Sequence, residues 1–137
     1  MNSQWSTTAR NDRLAALNTA AATGFLDVYT GAQPATGDTA VSGTVLVSIA
    51  LAATAFHTPS AGTMTNNGAL SGVASATGTA GYCIIFASNH TTVLWMGSVG
   101  TSGANLNLST LAISSGVTVS VADAAVTITD FGSISGY

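Results

Sequence analysis

The sequence predicts an all-β fold, a β-sandwich or jelly roll of about eight short strands preceded by a short N-terminal helix or arm. Three observations carry this reading. From Phe25 onward large apolar residues recur at alternate positions in short runs, turn residues separate those runs, and the only helical spacing lies before Gly24. Short one-sided strands in such number bury their apolar faces by packing sheet on sheet. A chain of 137 residues suits one core. The expected division is an N-terminal helical arm at 1–24 and a β domain at 25–137.

The helix is placed at Thr7 to Thr23, where alanines abound, Leu14, Leu17 and Ala21 fall at spacings of three and four, and Ser6 or Thr7 is available as a cap. Its apolar stripe is thin, so it reads as a strap on a neighbouring surface. Trp5, just before it, is either a lid on the chain's own core or an anchor for another subunit. Trp5, Leu14 and Leu17 are therefore the candidate interface residues. If the segment is an arm, removing Met1 to Thr23 should leave the β domain folded.

The period changes after Gly24. Phe25 to Thr30 reads as the first strand, and Gly31 to Gly43, with Pro34 and Gly37, as a turn-rich connection. Val45, Val47, Ile49 and Leu51 share one face of the next strand, with Ser48 and Ala50 on the other. Turns at Pro59 to Gly62 and Asn66-Asn67-Gly68 bracket a short strand near Met64, and Leu70 to Thr77 is an edge-like strand. In Gly81 to Gly100, Tyr82, Ile84 and Phe86 form one face, Asn89-His90 the turn, and Val93, Trp95 and Gly97 the return. Asn105 to Ile113, then Val117, Val119 and Val121, then Val126, Ile128 and Phe131 complete the count.

Composition narrows the function. Apolar residues make up 47% of the chain and charged residues 5%, against about 25% charged in an ordinary soluble domain. There is no lysine or glutamate, and Ser, Thr, Asn, Gly and Ala fill the positions between large apolar residues. High hydropathy with a net charge of −3 argues against disorder. Arg10 and Arg13, the only strongly basic residues, offer no track for a phosphate backbone, so nucleic acid is not an expected partner. No basic segment followed by an apolar core opens the chain, so no secretory signal is expected. The most apolar run, Val45 to Phe56, is shorter than the roughly 20 residues of a membrane-spanning helix, and no membrane association is expected.

Groups able to carry chemistry are few. The acids are Asp12, Asp27, Asp38, Asp123 and Asp130, the histidines His57 and His90, and the one cysteine Cys83. No spacing suits zinc, and Cys83 between Tyr82 and Ile84 reads as a buried, inert thiol. Serines abound, yet no Gly-x-Ser-x-Gly elbow is present. Gly97 to Gly103 lacks the lysine and following helix of a phosphate loop. His90 reads as an exposed turn residue and His57 as a loop residue. Asn89-His90-Thr91 and Asn107-Leu108-Ser109 fit the glycosylation pattern but read as turn and strand chemistry. The expectation is a non-enzymatic protein with no catalytic, cofactor or metal residues.

Two segments carry a resemblance. Leu26-Asp27-Val28-Tyr29-Thr30-Gly31-Ala32-Gln33-Pro34 and Gly97-Ser98-Val99-Gly100-Thr101-Ser102-Gly103-Ala104-Asn105-Leu106-Asn107-Leu108 resemble stretches of small virion structural proteins of tailed bacteriophages, of the head decoration or capsid cement type. The likeness extends over most of the chain from Phe25 and carries no functional residues with it. Asn105 stands where those proteins suggest an acid, and the chain holds fewer charges. The resemblance implies a protein made in the bacterial host cytoplasm and located on the capsid surface of the virion. Its partners would be the major capsid protein and itself, as a homodimer or homotrimer. The alternatives are a tail, neck or fibre-base adaptor, and a carbohydrate-binding β-sandwich module, the last requiring exposed Tyr29, Tyr82, Trp95 or Tyr137.

Overall fold

The computed structural model describes residues 3–130 and 133–134 of the chain. It is mainly β, with one N-terminal helix and a curled sheet. After the two-residue strand β1 (Ser3–Gln4), helix α1 runs Thr7–Ala21. The Ser6 hydroxyl accepts from the Ala9 amide at 3.1 Å and fixes the helix start. At the other end Thr23, not Gly24, takes positive φ (56°). Gly24 is required for a different reason: a Cβ there would lie 2.2 Å from the Phe86 carbonyl oxygen.

The remaining strands are β2 (Phe25–Thr30), β3 (Val45–Ala50), β4 (Thr63–Thr65), β5 (Leu70–Val73), β6 (Gly78–Phe86), β7 (Val93–Gly100), β8 (Leu106–Asn107), β9 (Ala112–Ile113), β10 (Thr118–Val121), β11 (Thr127–Thr129) and β12 (Ser133–Ile134). The main sheet has the order β3-β2-β6-β7-β8, antiparallel except for the parallel β7/β8 pair, and β9 pairs with the start of β6. Three two-stranded ribbons accompany it, β5/β10, β4/β11 and β1/β12. The segment Asn105 to Ile113, expected as one strand, is two short pieces because its ends meet different partners. Expected Phe131 and Tyr137 lie outside the described residues.

The β2–β6 pairing is the centre of the molecule. Leu26, Val28, Cys83 and Ile85 turn to one side, where they meet Leu46, Val47, Ile49, Phe56, Met64, Leu106, Val121 and Ile128 in the main core. Tyr29, Tyr82, Ile84 and Phe86 turn to the other and form a second cluster with Phe25, Val45 and Met96. Both faces of the β2–β6 pair are thus covered, whereas β3 keeps Ser48 and Ala50 exposed opposite Val47 and Ile49, as its alternation predicts. Shifts of register at Val28/Tyr29 and Ile85/Phe86 move Val45 and Val93 to the second cluster, while Trp95 and Gly97 stay opposite Ile85 and Cys83. A bulge adds one residue to a strand and so reverses the facing of the residues beyond it.

The helix shares the main core through Leu14 and Ala21. It is also tied to the 52–62 connection by side chains. The Asn18 amide donates to the Phe56 carbonyl at 3.0 Å and accepts from the Phe56 N–H at 3.1 Å, and Asn11 accepts from the Gly62 N–H at 2.9 Å.

Candidate functional site

Two places collect the polar chemistry. The first is the N-terminal corner. The Arg13 guanidinium forks onto the Asp130 carboxylate, with Nε 2.6 Å from Oδ2 and a second, shorter contact from an Nη. The same group lies 4.3 Å from the centre of the Trp5 ring. Arg10 reaches the Asp130 carbonyl at 3.2 Å and the Thr7 hydroxyl at 3.0 Å. Both arginines are therefore committed to this corner. Beside them a groove of about 370 Å³ is lined by Arg13, Leu14, Leu17, Trp95, Ile128 and Asp130.

The three residues singled out in the sequence fall at different depths. Leu14, assigned to a contact with another subunit, is 4% exposed and packs in the chain's own core. Leu17 is half-buried against that core and lines the groove. Trp5 is 44% exposed, held on the surface by Arg13. Of the two readings of Trp5, the lid does not match this position.

The second place was not foreseen. Asp27, in β2, is buried, and its carboxylate accepts from the Ser48 hydroxyl at 2.6 Å and meets His90 Nε2 at 2.8 Å. His90 sits at the β6–β7 turn with φ 58° and is 39% exposed, yet its ring folds back onto the sheet. It stacks on Phe25 at 4.0 Å and meets Phe86 edge-on at 5.3 Å. The turn is set by Asn89, whose side-chain oxygen accepts from the Thr91 and Thr92 amides. His90 is thus a brace over a buried acid rather than a free turn residue.

Serine, histidine and aspartate do meet here, but not as a nucleophile and its base. The Ser48 hydroxyl gives its proton to Asp27, and the one ring nitrogen near Ser48 (3.3 Å) is also the one that meets the carboxylate. A triad needs the imidazole between the two, using both nitrogens. Asp27 also raises the Tyr29 pKa, after the larger effect of burial and ahead of Tyr82. Tyr29 and Tyr82 stack at 5.2 Å, and the Tyr82 hydroxyl donates to the Ser42 carbonyl, closing the 31–44 connection over them.

A separate pair lies outside both places. His57 Nε2 meets Asp123 at 2.9 Å on the surface. The Asp123 pKa is lowered, chiefly by the Gly68 N–H bonded to its carboxylate and then by His57. Among the described residues no three His, Cys, Asp or Glu side chains converge, and no helix is long and apolar enough to cross a membrane. Burial pushes the Cys83 thiol up to about 12, its bond to the Gly97 carbonyl being the smaller, opposing effect. Iodoacetamide at mildly alkaline pH is therefore expected to label Cys83 only after unfolding. Mass spectrometry of native and urea-treated protein checks this, and rapid native labelling would contradict it.

The glycine-rich Gly97 to Gly103 stretch has its own structural account. Trp95 lies over Gly97, where a Cβ would come within 2.1 Å of the indole. Asn105 closes the following turn, accepting from the Ser98 amide and hydroxyl at 3.0 Å and donating to the Thr127 carbonyl at 3.1 Å. An acid at 105 has no proton for Thr127, which accounts for the amide. Of the aromatics a sugar would need, Tyr29 and Tyr82 are buried and Trp95 is half-buried. Tyr137 lies outside the described residues. No family model, curated protein or solved structure matches the chain.

Proposed function

We propose that this chain is a non-enzymatic structural protein of a tailed-bacteriophage virion, a head decoration protein that binds the major capsid protein and stabilises the shell by bridging neighbouring subunits. The observation that carries the reading is the distribution of charge and apolar surface. No Asp, Glu, Lys or Arg occurs between Asp38 and Asp123, while Trp5, Val41, Val73 and Val117 are exposed. A freely diffusing domain keeps its surface about 25–35% charged. A surface with so few charges suits a molecule whose faces are covered by many neighbours. In this reading the fold is a sandwich, its main core closed between the main sheet on one side and the β5/β10 and β4/β11 ribbons on the other.

Trp5 is the attachment residue in this proposal, because its ring is presented on the surface by a guanidinium that is itself held by Asp130. Tryptophan is among the commonest interface hot spots, with truncations costing about 2 kcal/mol or more. Trp5→Ala is expected to weaken binding to shells at least about tenfold while leaving the melting temperature of the free protein nearly unchanged. Co-sedimentation with purified capsids, beside thermal melting, tests it. Unchanged binding, or a large fall in melting temperature, would remove Trp5 from this role. Copy number in purified particles separates decoration from a tail, neck or fibre-base adaptor: hundreds of copies fit the shell, tens or fewer the adaptor.

A further inference from the structure

We propose that β10 is the contact strand of a symmetric dimer of this chain, pairing antiparallel with β10 of a second copy about a twofold axis at Val119. β10 has β5 on one side and no strand on the other among the described residues. The direction of its backbone groups follows from the end of the ribbon. The Ala74 amide donates to the Val117 carbonyl at 2.8 Å, and the Ala74 carbonyl accepts from the Gly116 amide at 2.8 Å. Gly116 (φ 86°) and Val117 together oppose the one residue Ala74 as a bulge, with the Val117 amide turned to the Ser114 carbonyl. The Val117 carbonyl thus points to β5, and the alternation of an antiparallel ladder then turns the N–H and C=O of Thr118 and Ser120 outward. Both residues are exposed.

An unpaired edge is complementary to one thing, another extended strand. Lysine, proline and inward charges are the side-chain devices that keep an edge single. β10 carries none, and no charged side chain lies between it and Asp38 in the sequence. Two copies brought together along this edge meet no like-charge repulsion. The ribbon also exposes valines at its end, Val73 at 63% and Val117 at 52%. Beside the edge lies a small groove of about 80 Å³ with Leu108, Ile113 and Val119 in its wall.

The outward groups fix the register. Thr118 exchanges two hydrogen bonds with Ser120 of the second copy, and Ser120 two with its Thr118. Val119 then faces its own counterpart across the axis as a non-hydrogen-bonded pair, the closer of the two pair types. Val117, which lines the groove of its own copy, comes opposite the second copy's Val121. The contact goes beyond the virion reading and does not rest on it, since the free protein is what is measured.

Sedimentation of the full chain over a wide concentration range is expected to show a monomer–dimer equilibrium. Hydrogen exchange at the Thr118 and Ser120 amides should slow as the dimer fills, while the exposed turn at Ser114 and Ser115 does not change. Thr118→Lys together with Ser120→Lys should raise the dissociation constant at least about tenfold by setting like charges opposite one another. Mixing a Thr118→Lys chain with a Ser120→Asp chain should favour the mixed dimer, because this register places those two positions face to face. A wild-type chain that stays monomeric overturns the proposal. So does a dimer whose Thr118 and Ser120 exchange ignores concentration, a measurement that needs no variant to fold. A mixture with no preference for the mixed dimer overturns the register.

Discussion

Deleting residues 1–23 is expected to unfold the protein, not to release an intact β domain. The deletion removes Leu14, 4% exposed, and Ala21, fully buried, from the main core. A buried Leu→Ala change alone costs about 2–5 kcal/mol through lost transfer energy and the cavity left behind. It also strips the Phe56 N–H and C=O and the Gly62 N–H of their Asn18 and Asn11 partners. Water takes over those backbone groups once the helix is gone, so each loss is the net worth of its hydrogen bond, about 0.5–1.5 kcal/mol, and the apolar core surface that Leu14 and Ala21 covered is exposed as well. A domain of this size has about 5–15 kcal/mol in all, so the losses are comparable with the total. Circular dichroism and thermal melting of the truncated chain check this, and a cooperative melt within a few degrees of the full chain would show the β domain to be self-sufficient. Leu14→Ala in the full chain isolates the packing part. Set beside Trp5→Ala, it separates two residues that look alike in sequence, one that stabilises the fold and one on the surface.

That contrast shows where reading the sequence succeeds and where it stops. The alternation of Leu26 and Val28 with Asp27 and Tyr29, and of Cys83 and Ile85 with Tyr82, Ile84 and Phe86, is local, and the strands it predicts are present. The spacing of Leu14, Leu17 and Ala21 is equally local, and the helix is present. What covers a stripe is not local. Whether Leu14 meets its own core or a neighbour depends on the path of a connection at Phe56 and Gly62. The bulges at Val28/Tyr29 and Ile85/Phe86 arise from register between strands, which no single strand encodes; the first turns Val45 away from Val47 and the second turns Val93 away from Trp95. The Asp27–His90 contact joins residues 63 apart. The signal available was an acid inside an otherwise apolar strand, which must find a partner when buried, but nothing in the sequence chose His90 over His57.

Replacing Asn66 by alanine is the second change with a large expected effect, and it starts from a residue that reads in sequence as ordinary turn chemistry. Asn66 is fully buried. Its side-chain oxygen accepts from the Val126 amide at 2.9 Å, and its nitrogen donates to the Gly68 carbonyl at 2.8 Å and the Ala122 carbonyl at 3.0 Å. One side chain thereby joins its own turn, the residue after β10 and the residue before β11. Its backbone adds a bond from the Ala124 amide to the Asn66 carbonyl and one from the Asn66 amide to the Val126 carbonyl, each 3.3 Å. Alanine keeps these backbone bonds but leaves three backbone groups without a side-chain partner. The expected cost is about 3 kcal/mol or more, a fall of about 10 °C in melting temperature for a domain of this size. Asn66→Asp should not rescue it, because a carboxylate can accept from Val126 but has no proton for Gly68 or Ala122, and its charge would be buried. Asn66 also fixes Ala122, immediately after β10, so loosening it frees the end of the strand proposed to pair with a second copy. Asn66→Ala is therefore expected to raise the dimer dissociation constant even at temperatures where the variant is fully folded, a coupling that a core substitution of similar cost on another element, such as Leu14→Ala in the helix, should lack. Melting curves and sedimentation of the two variants side by side decide it. An Asn66→Ala protein that melts like the wild type would show the bracket to be dispensable, and equal loss of dimer in both variants would mean that stability alone, not the seating of β10, sets the association.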